Sequence, residues 1–300
     1  MPNFKRIMVA LDNTYFDREV ISFANYISEL VSPEKVYFVH IDRDLEVPDY
    51  LNHQQREDTG VLIPKDEQLK IDIQKVVKQH FHNHTRVSIK VEIKEGTPLK
   101  ELLHLSKVKH TDLIIVGHKK LSDGSGITAN KLAREADCSI LFVPEGQELP
   151  IKNMIVPFDF SGNSDHALKT GLTLNRKLAD SEITVVHVYD VPLFSNYEIN
   201  VNYEEMVKNV LNFKKSSFRE YLEKQGFENA GIKVKFLANT SGRTVKYIND
   251  FILENKPGLV IIGAKGHSSW DAFLLGSVTE KLLSLNAITP ILVERNYSHN

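Results

Sequence analysis

Short apolar segments alternate with longer amphipathic segments along the first half of the chain. The apolar segments are rich in β-branched residues and bounded by polar ones, which predicts strands, and the segments between them predict helices. Strands that are hydrophobic almost throughout are typical of a parallel sheet covered by helices on both faces. The predicted strands span residues 7–10, 36–40, 87–93, 113–116 and 140–143, and the predicted helices span 17–30, 65–82, 98–109 and 128–135.

The second half shows the same alternation in the same order. Its apolar segments predict strands again, and the segments between them predict helices. The strands are expected at 154–157, 183–188, 233–237, 259–262 and 291–293, and the helices at 163–179, 201–225, 243–255 and 277–285. The pattern therefore predicts an α/β protein with a mainly parallel sheet in each half.

Landmark residues recur at almost one spacing in the two halves, which indicates an internal duplication. The pairs, 147 or 146 positions apart, are Asp12 and Asp159, His40 and His187, Gly96 and Gly242, and Gly117 and Gly263. The sequence therefore predicts two copies of one unit, in residues 1–146 and 151–296. We interpret the two histidines as structural residues.

Composition narrows the classes of function. Hydrophobic residues make up 42% of the chain and charged residues 25%, as in globular proteins rather than disordered ones. The formal net charge of −2 gives no general attraction to nucleic acid or to an anionic membrane. Cys138 is the single cysteine, which fits a reducing compartment. The apolar run Ile7–Leu11 is too short for the core of a signal peptide, so we expect a cytoplasmic protein.

A glycine-serine motif follows the predicted strand 259–262 of the second half. Gly263 and Gly266 come first, and Gly276 and Ser277 stand at the start of the last predicted helix. A strand that leads through a glycine loop into a helix places unpaired backbone N–H groups where a phosphate can bind. The motif therefore predicts a nucleotide site, although ordinary turn glycines would give a similar pattern.

Two further residues are predicted at the same edge of the sheet. Asp159 and Val188 follow the first two strands of the second half, and ligands of open parallel sheets bind at the carboxyl ends of the strands. Asp159 has a second interpretation, as the residue that caps the helix after it. The segment from His80 to His84 also suggests a metal site, but residues two apart on a helix do not face each other.

The spacing of the motif resembles the ATP-binding branch of the universal stress protein family. Gly263, Gly266, Gly276 and Ser277 all match its pattern of Gly, two residues, Gly, nine residues and Gly-Ser. The resemblance covers essentially the whole chain as a tandem pair. It implies two doubly wound, Rossmann-like domains of the adenine nucleotide alpha hydrolase type. Each would have a five-stranded, mainly parallel sheet, and a pseudo-two-fold axis would relate them.

The resemblance also implies which residues hold the ligand. Adenine is expected near Asp159 and Val188, and the ribose and phosphates along the motif. ATP is the expected cofactor, with Mg²⁺ left open as its companion, and no catalytic or metal-ligating residue is predicted. The full predicted site consists of Pro157, Asp159, Val188, Gly263, Gly266, Gly276, Ser277 and Val278.

The first half departs from the family pattern after Gly117. Lys120 stands where the second glycine is expected, five residues then precede Gly126, and Ile127 replaces the serine. A shorter loop cannot wrap a triphosphate in the same way, and isoleucine offers no hydroxyl group. We therefore expect the first copy to have lost the usual ATP site.

The leading hypothesis is a stress-response protein that binds ATP in its second domain and acts as a nucleotide-dependent sensor or regulator. A slow ATPase and an interaction scaffold for another small ligand remain alternatives. The sequence lacks a Gly-Lys-Ser/Thr phosphate loop, which argues against efficient hydrolysis. The last strands, 140–143 and 291–293, are expected to pair within the chain. A homodimer and an unidentified protein partner remain open, whereas a nucleic-acid or membrane partner is not expected.

Overall fold

The computed structural model describes residues 4–45, 64–83, 86–118, 125–178, 180–191, 203–266, 275–286 and 288–295. The strands are β1 (Arg6–Leu11), β2 (Lys35–Asp42), β3 (Ser88–Glu95), β4 (Leu113–His118), β5 (Ser139–Pro144), β6 (Asn153–Pro157), β7 (Glu182–Asp190), β8 (Lys233–Asn239), β9 (Leu259–Gly263) and β10 (Ile291–Glu294). The helices are α1 (Asp17–Val31), α2 (Lys65–His80), α3 (Pro98–Val108), α4 (Ser125–Glu135), α5 (Gly162–Asn175), α6 (Tyr203–Gln225), α7 (Thr244–Asn255) and α8 (Ser277–Leu285).

These strands form a single sheet in the order β3-β2-β1-β4-β5-β10-β9-β6-β7-β8. The order within the first half, 3-2-1-4-5, is repeated in the second half as β8-β7-β6-β9-β10. Neighbouring strands within each half are parallel. The direction of connection reverses beside β1 and beside β6, and these points are where such folds open a crevice at the carboxyl ends of the strands. The predicted α/β fold with two tandem, doubly wound units is confirmed.

The sheet is buried on both faces because its strands are hydrophobic almost throughout. Successive residues of β1 point to opposite faces, so that Ile7 and Val9 pack in one core cluster and Met8 packs in the other. All three side chains are fully buried. Burying a side chain of this size stabilises the fold by roughly 1.5–3 kcal/mol. The apolar segments therefore determine the sheet, and the polar residues that follow them remain free to shape a site at its edge.

The two halves join through their last strands. β5 and β10 pair antiparallel, with Leu141 opposite Leu292. Buried polar groups secure the join, because the carboxylate of Glu294 accepts hydrogen bonds from the hydroxyl groups of Ser139 (3.1 Å) and Thr170 (3.0 Å). Burial raises the pKa of Glu294 to about 7. The pairing covers the edge that β5 and β10 would otherwise expose, one in each five-stranded half.

The duplicated histidines have the same structural role in both halves. Nδ1 of His40 lies 3.0 Å from the carbonyl oxygen of Leu11, and Nδ1 of His187 lies 2.7 Å from that of Phe158. Each ring therefore donates a hydrogen bond to the end of the neighbouring strand. Burial lowers the pKa of His187, which favours the neutral ring. Cys138 is buried as predicted, and burial raises the pKa of its thiol to about 12.

Helix ends differ from the predicted ones where tertiary contacts decide them. The helix predicted over 65–82 ends at His80, because the side-chain oxygen of Asn25 accepts the amides of His82 (2.8 Å) and Asn83 (3.0 Å). His84, part of the suggested metal segment, lies outside the described residues. The helix predicted over 163–179 ends at Asn175, where tighter turns replace helical hydrogen bonds. Within the described segments, every helix is too short or too polar to cross a bilayer.

Candidate functional site

A cavity of about 240 Å³ opens at the carboxyl ends of β6, β7 and β9, beside the first turn of α8. It lies where the direction of connection reverses in the second half. All eight residues of the predicted site line this cavity. The cavity is also lined by residues outside the predicted site: Phe158, Ser164, Val186, Thr244, Ile248, Ile262, Lys265 and Thr279.

One end of the cavity is apolar. Val186 and Val188 come from β7, Ile262 from β9, and Ile248 from the face of α7 that packs on the sheet. Val186, Ile248 and Ile262 are buried, whereas Val188 is half-buried near the mouth. A flat ring that enters between these side chains gains apolar contact on both faces, as is usual in small-molecule sites.

Asp159 lies on the cavity wall and also shapes the loop beneath it. Its Oδ1 accepts the amide of Ser161 at 3.0 Å. Ser161, rather than Asp159, caps α5, because its hydroxyl oxygen accepts the amide of Ser164 at 3.2 Å. A Cβ atom on Gly266 would lie 2.7 Å from Oδ2 of Asp159, so this carboxylate sits directly against the glycine loop. The interpretation of Asp159 as the helix cap was therefore wrong. Asp159 instead holds the capping residue, Ser161, through its amide.

The glycines of the motif are required by close passage of the chain. A Cβ atom on Gly263 would lie 2.7 Å from the carbonyl carbon of Asn163, a backbone atom that cannot move aside easily. On Gly276 it would lie 3.2 Å from the Cα atom of Lys265. Neither glycine has a positive φ, and Gly266 does not have one either. Close approach of the chain, and not a left-handed backbone conformation, is therefore what requires glycine at these positions.

The other end of the cavity is formed by the start of α8. The first helical hydrogen bond joins the amide of Glu280 to the carbonyl of Gly276 at 2.9 Å. The amides of Ser277, Val278 and Thr279 precede that bond, so the helix itself supplies them with no carbonyl partner. The N-terminal field of a helix stabilises an anion by about 0.3–1 kcal/mol.

Two polar contacts hold the start of α8 against the sheet. The hydroxyl group of Thr279 donates to the carbonyl oxygen of Gly263 at 2.9 Å, and the amide of Gly276 donates to that of Ala264 at 2.7 Å. Both bonds connect the helix to the end of β9. Lys265 lies two residues after the end of the strand and contributes positive charge to the same wall. The result is a firmly held end of the cavity that presents backbone N–H groups and Lys265, in contrast to the apolar end.

The corresponding part of the first half is organised differently. α4 begins at Ser125, three residues earlier than predicted, so Gly126 and Ile127 lie within its first turn. In the second half the helix begins only after its glycine, at Ser277. Lys120 lies outside the described residues. The two halves therefore differ in how the last helix starts, as well as in sequence.

Half of the lining residues that were not predicted lie on helices that pack against the cavity. Thr244 and Ile248 are one turn apart on α7, so the helical period places them on one face. Ser164 lies on the first turn of α5, and its hydroxyl group donates to the carbonyl of Ser161 at 2.9 Å. The spacing of Thr244 and Ile248 could have indicated that both lie on one face of α7. It does not indicate which strands this face packs against.

Comparisons with known proteins agree with this architecture. The model of the universal stress protein family matches residues 3–144 and 150–293. A universal stress protein of Methanocaldococcus jannaschii is 26% identical over 142 residues, which cover 47% of this chain and 81% of the relative.

Solved structures match over nearly the full length. A universal stress protein from Archaeoglobus fulgidus has a TM-score of 0.61 at 14% identity, with 98% of each chain covered. A functionally unknown protein from Pseudomonas aeruginosa has a TM-score of 0.66 at 13% identity, with 98% of this chain and 93% of that chain covered. At these identities the structural matches show the fold alone. Because the family model matches both halves, the chain belongs to the universal stress protein family, as a tandem of two such domains.

Proposed function

We propose that the second domain binds ATP and that the protein acts as a nucleotide-dependent regulator in the stress response. One observation carries the proposal: the eight residues selected from sequence line one cavity that is apolar at one end and presents the helix N-terminus and Lys265 at the other. ATP has the same polarity, with an uncharged purine at one end and a triphosphate at the other.

The purine is assigned to the apolar end. Val188 and Ile248 contribute side chains from different elements, β7 and α7, so that a ring inserted there contacts both. Asp159 adds a hydrogen-bond acceptor on the same wall, which suits the exocyclic amino group of adenine or a ribose hydroxyl group. This assignment explains why a strand end and a helix face contribute together to the cavity.

The phosphates are assigned to the start of α8. The amides of Ser277 to Thr279 and the hydroxyl group of Ser277 supply donors, and Lys265 supplies charge. Among the described residues that line the cavity, Asp159 is the one carboxylate. A Mg²⁺ ion that accompanies ATP would therefore be held mainly by phosphate oxygens and water, as is common for this ion.

The proposed signal is the binding of ATP to the second domain and not the hydrolysis of ATP. Along the described part of the cavity wall, Asp159 is the one carboxylate that could serve as a base, and its Oδ1 already accepts the Ser161 amide. Binding that favours one arrangement of the glycine loop would shift a conformational equilibrium that a protein partner reads. We place this activity in the cytoplasm, in keeping with the lone, buried Cys138.

The duplication supplies a matched pair of variants for the test. Val188 and Ile41 occupy equivalent positions at the ends of β7 and β2, and both line a cavity. In calorimetric titrations with ATP and Mg²⁺, the wild type should bind close to one ATP per chain. Val188→Trp should abolish binding, and Ile41→Trp should leave it unchanged. Two equivalent sites, or loss of binding in Ile41→Trp alone, would refute the assignment.

A further inference from the structure

A second cavity, of about 210 Å³, lies in the first domain at the carboxyl ends of β1, β2 and β4. It sits at the reversal point of the first half, as the ATP-site cavity does in the second. The lining positions also correspond through the duplication. The matching pairs are Ala10 and Pro157, Leu11 and Phe158, Asp12 and Asp159, Asp17 and Ser164, Val39 and Val186, Ile41 and Val188, Pro98 and Thr244, Leu102 and Ile248, Val116 and Ile262, and Gly117 and Gly263.

The apolar end of the second-domain cavity is therefore preserved in the first domain. Val39, Ile41, Leu102 and Val116 take the places of the side chains to which the purine is assigned. Val39 and Leu102 are buried, whereas Val116 is half-buried. The described walls of this part of the cavity are suited to a flat ring.

The polar end has changed in shape. A Cβ atom on Gly117 would lie 2.6 Å from the ring of Phe16, whereas the equivalent Gly263 faces the backbone of Asn163. Phe16 is 1% exposed, so its ring is a fixed part of the wall. The aromatic ring narrows the region beside the end of β4, which corresponds to the phosphate side of the second cavity.

The polar end has also changed in charge. Asp17 replaces Ser164 and is 6% exposed, and its carboxylate accepts the amides of Asp12 (3.2 Å) and Asn13 (2.9 Å). Asp12 lines the cavity as well. The residue equivalent to Lys265 is Lys119, which lies outside the described residues. Burial, with the neighbouring Asp12, raises the pKa of Asp17 to about 7, so Asp17 is only partly ionised near neutral pH. The negative charge of the pair repels a phosphate, and its oxygens accept hydrogen bonds from hydroxyl or amino groups.

We propose that the first-domain cavity is a second ligand site, which binds an uncharged nucleoside and rejects the corresponding nucleotide. The base lies between Ile41 and Leu102, and Asp12 and Asp17 accept hydrogen bonds from the sugar or the base. The choice of a nucleoside rests on the function proposed for the second cavity, whereas the rejection of phosphate rests on Phe16 and the two carboxyl groups. One chain would then respond to two adenine compounds through two related pockets.

The test uses the full chain with its second site blocked by Val188→Trp. Calorimetric titration of this variant with adenosine should show one site, and AMP should bind at least about tenfold more weakly than adenosine. Adding Ile41→Trp should remove adenosine binding. Leu102→Phe is a milder change that fills the same cavity, and it should weaken adenosine binding even if Ile41→Trp disturbs folding.

A second variant tests the basis of selectivity. Asp17→Asn keeps an acceptor for one of the two amides and removes the charge, so the preference for adenosine over AMP should shrink severalfold in the Val188→Trp background. Equal binding of adenosine and AMP before this change would overturn the proposal. So would loss of all adenosine binding in Val188→Trp alone. Failure of the wild type to bind ATP, with adenosine binding intact, would instead refute the function proposed for the second domain.

Discussion

Gly276 and Lys265 touch through their backbones: a Cβ atom on Gly276 would lie 3.2 Å from the Cα atom of Lys265. The two ends of the glycine-serine motif are thereby held together, although nine residues separate Gly266 from Gly276 in sequence. This contact brings the start of α8 to the end of β9. It explains why the motif needs glycine at a position where φ is negative.

Gly276→Val should therefore weaken ATP binding. The branched side chain pushes the start of α8 away from Lys265 and moves the Ser277 amide, so we expect a loss of about tenfold or more, or about 1.4 kcal/mol. Calorimetric titration with ATP measures it. Gly162→Ala is the matched control, because a Cβ atom there meets nothing within 4 Å. Unchanged affinity in Gly276→Val would show that this contact does not matter for the ligand.

The hydrogen bond from Thr279 to the carbonyl oxygen of Gly263 should stabilise both the fold and the site. Thr279→Val keeps the shape and removes the donor, which should cost about 0.5–1.5 kcal/mol of unfolding free energy. ATP affinity should fall severalfold, because the start of α8 loses an anchor on β9. Thr279→Ser retains the hydroxyl group, so its unfolding free energy and its ATP affinity should both fall much less. Urea denaturation and calorimetry measure the two effects, and equal losses in both variants would exclude the bond as the cause.

Lys265 should act on the phosphates and not on the base. We expect Lys265→Met to weaken ATP binding severalfold at low salt and to leave the binding of adenosine by the second domain nearly unchanged, because the lost attraction is electrostatic. These titrations should use the Ile41→Trp background, which blocks the first cavity. Lys246→Met is the control, since Lys246 pairs with Asp250 on the exposed side of α7. An equal loss for ATP and adenosine would place Lys265 beside the base.

Glu294 should make stability depend on pH. Burial raises its pKa from 4.5 to about 7 in the folded protein, so the folded state holds the proton more tightly than the unfolded state does. Its contribution to stability is therefore full below about pH 4.5 and is lost as the pH rises through about 7. The difference in unfolding free energy between the wild type and Glu294→Gln should fall by at most about 1.4 kcal/mol per pH unit in this window.

Urea denaturation of both proteins at pH 5.5 and pH 8 measures that difference. The glutamine oxygen accepts from one of the two hydroxyl groups, and its NH2 group can donate to the oxygen of the other, so the variant removes the charge and keeps a polar partner for Ser139 and Thr170. A difference that stays constant between these two pH values would mean that the pKa of the carboxyl group is not raised in the folded protein.

The strands could be predicted closely because burial on both faces makes them apolar throughout. β4 and β9, for example, begin at the predicted Leu113 and Leu259. Helix ends were predicted less well, since the end of α2 depends on Asn25, a side chain on another helix. No local pattern carries that information.

The candidate site also has a part that could be predicted from the sequence and a part that could not. Gly263 to Ser277 could be found because the motif is local, and its spacing is constrained by the contact between Gly276 and Lys265. The cover that Ile248 supplies depends on how α7 packs on the sheet, which the motif does not encode. The first-domain cavity was missed for the same reason: the sequence shows that the glycine-serine motif is lost, but the space between Ile41 and Leu102 arises from packing.

A crystal structure grown with ATP and Mg²⁺ tests the central claim most directly. The account predicts a purine between Val188 and Ile248, with the phosphates at the amides of Ser277 to Thr279 and no ATP in the first domain. Density for ATP in the first-domain cavity alone would contradict it. So would a second-domain cavity filled by protein side chains, with no space left for a purine.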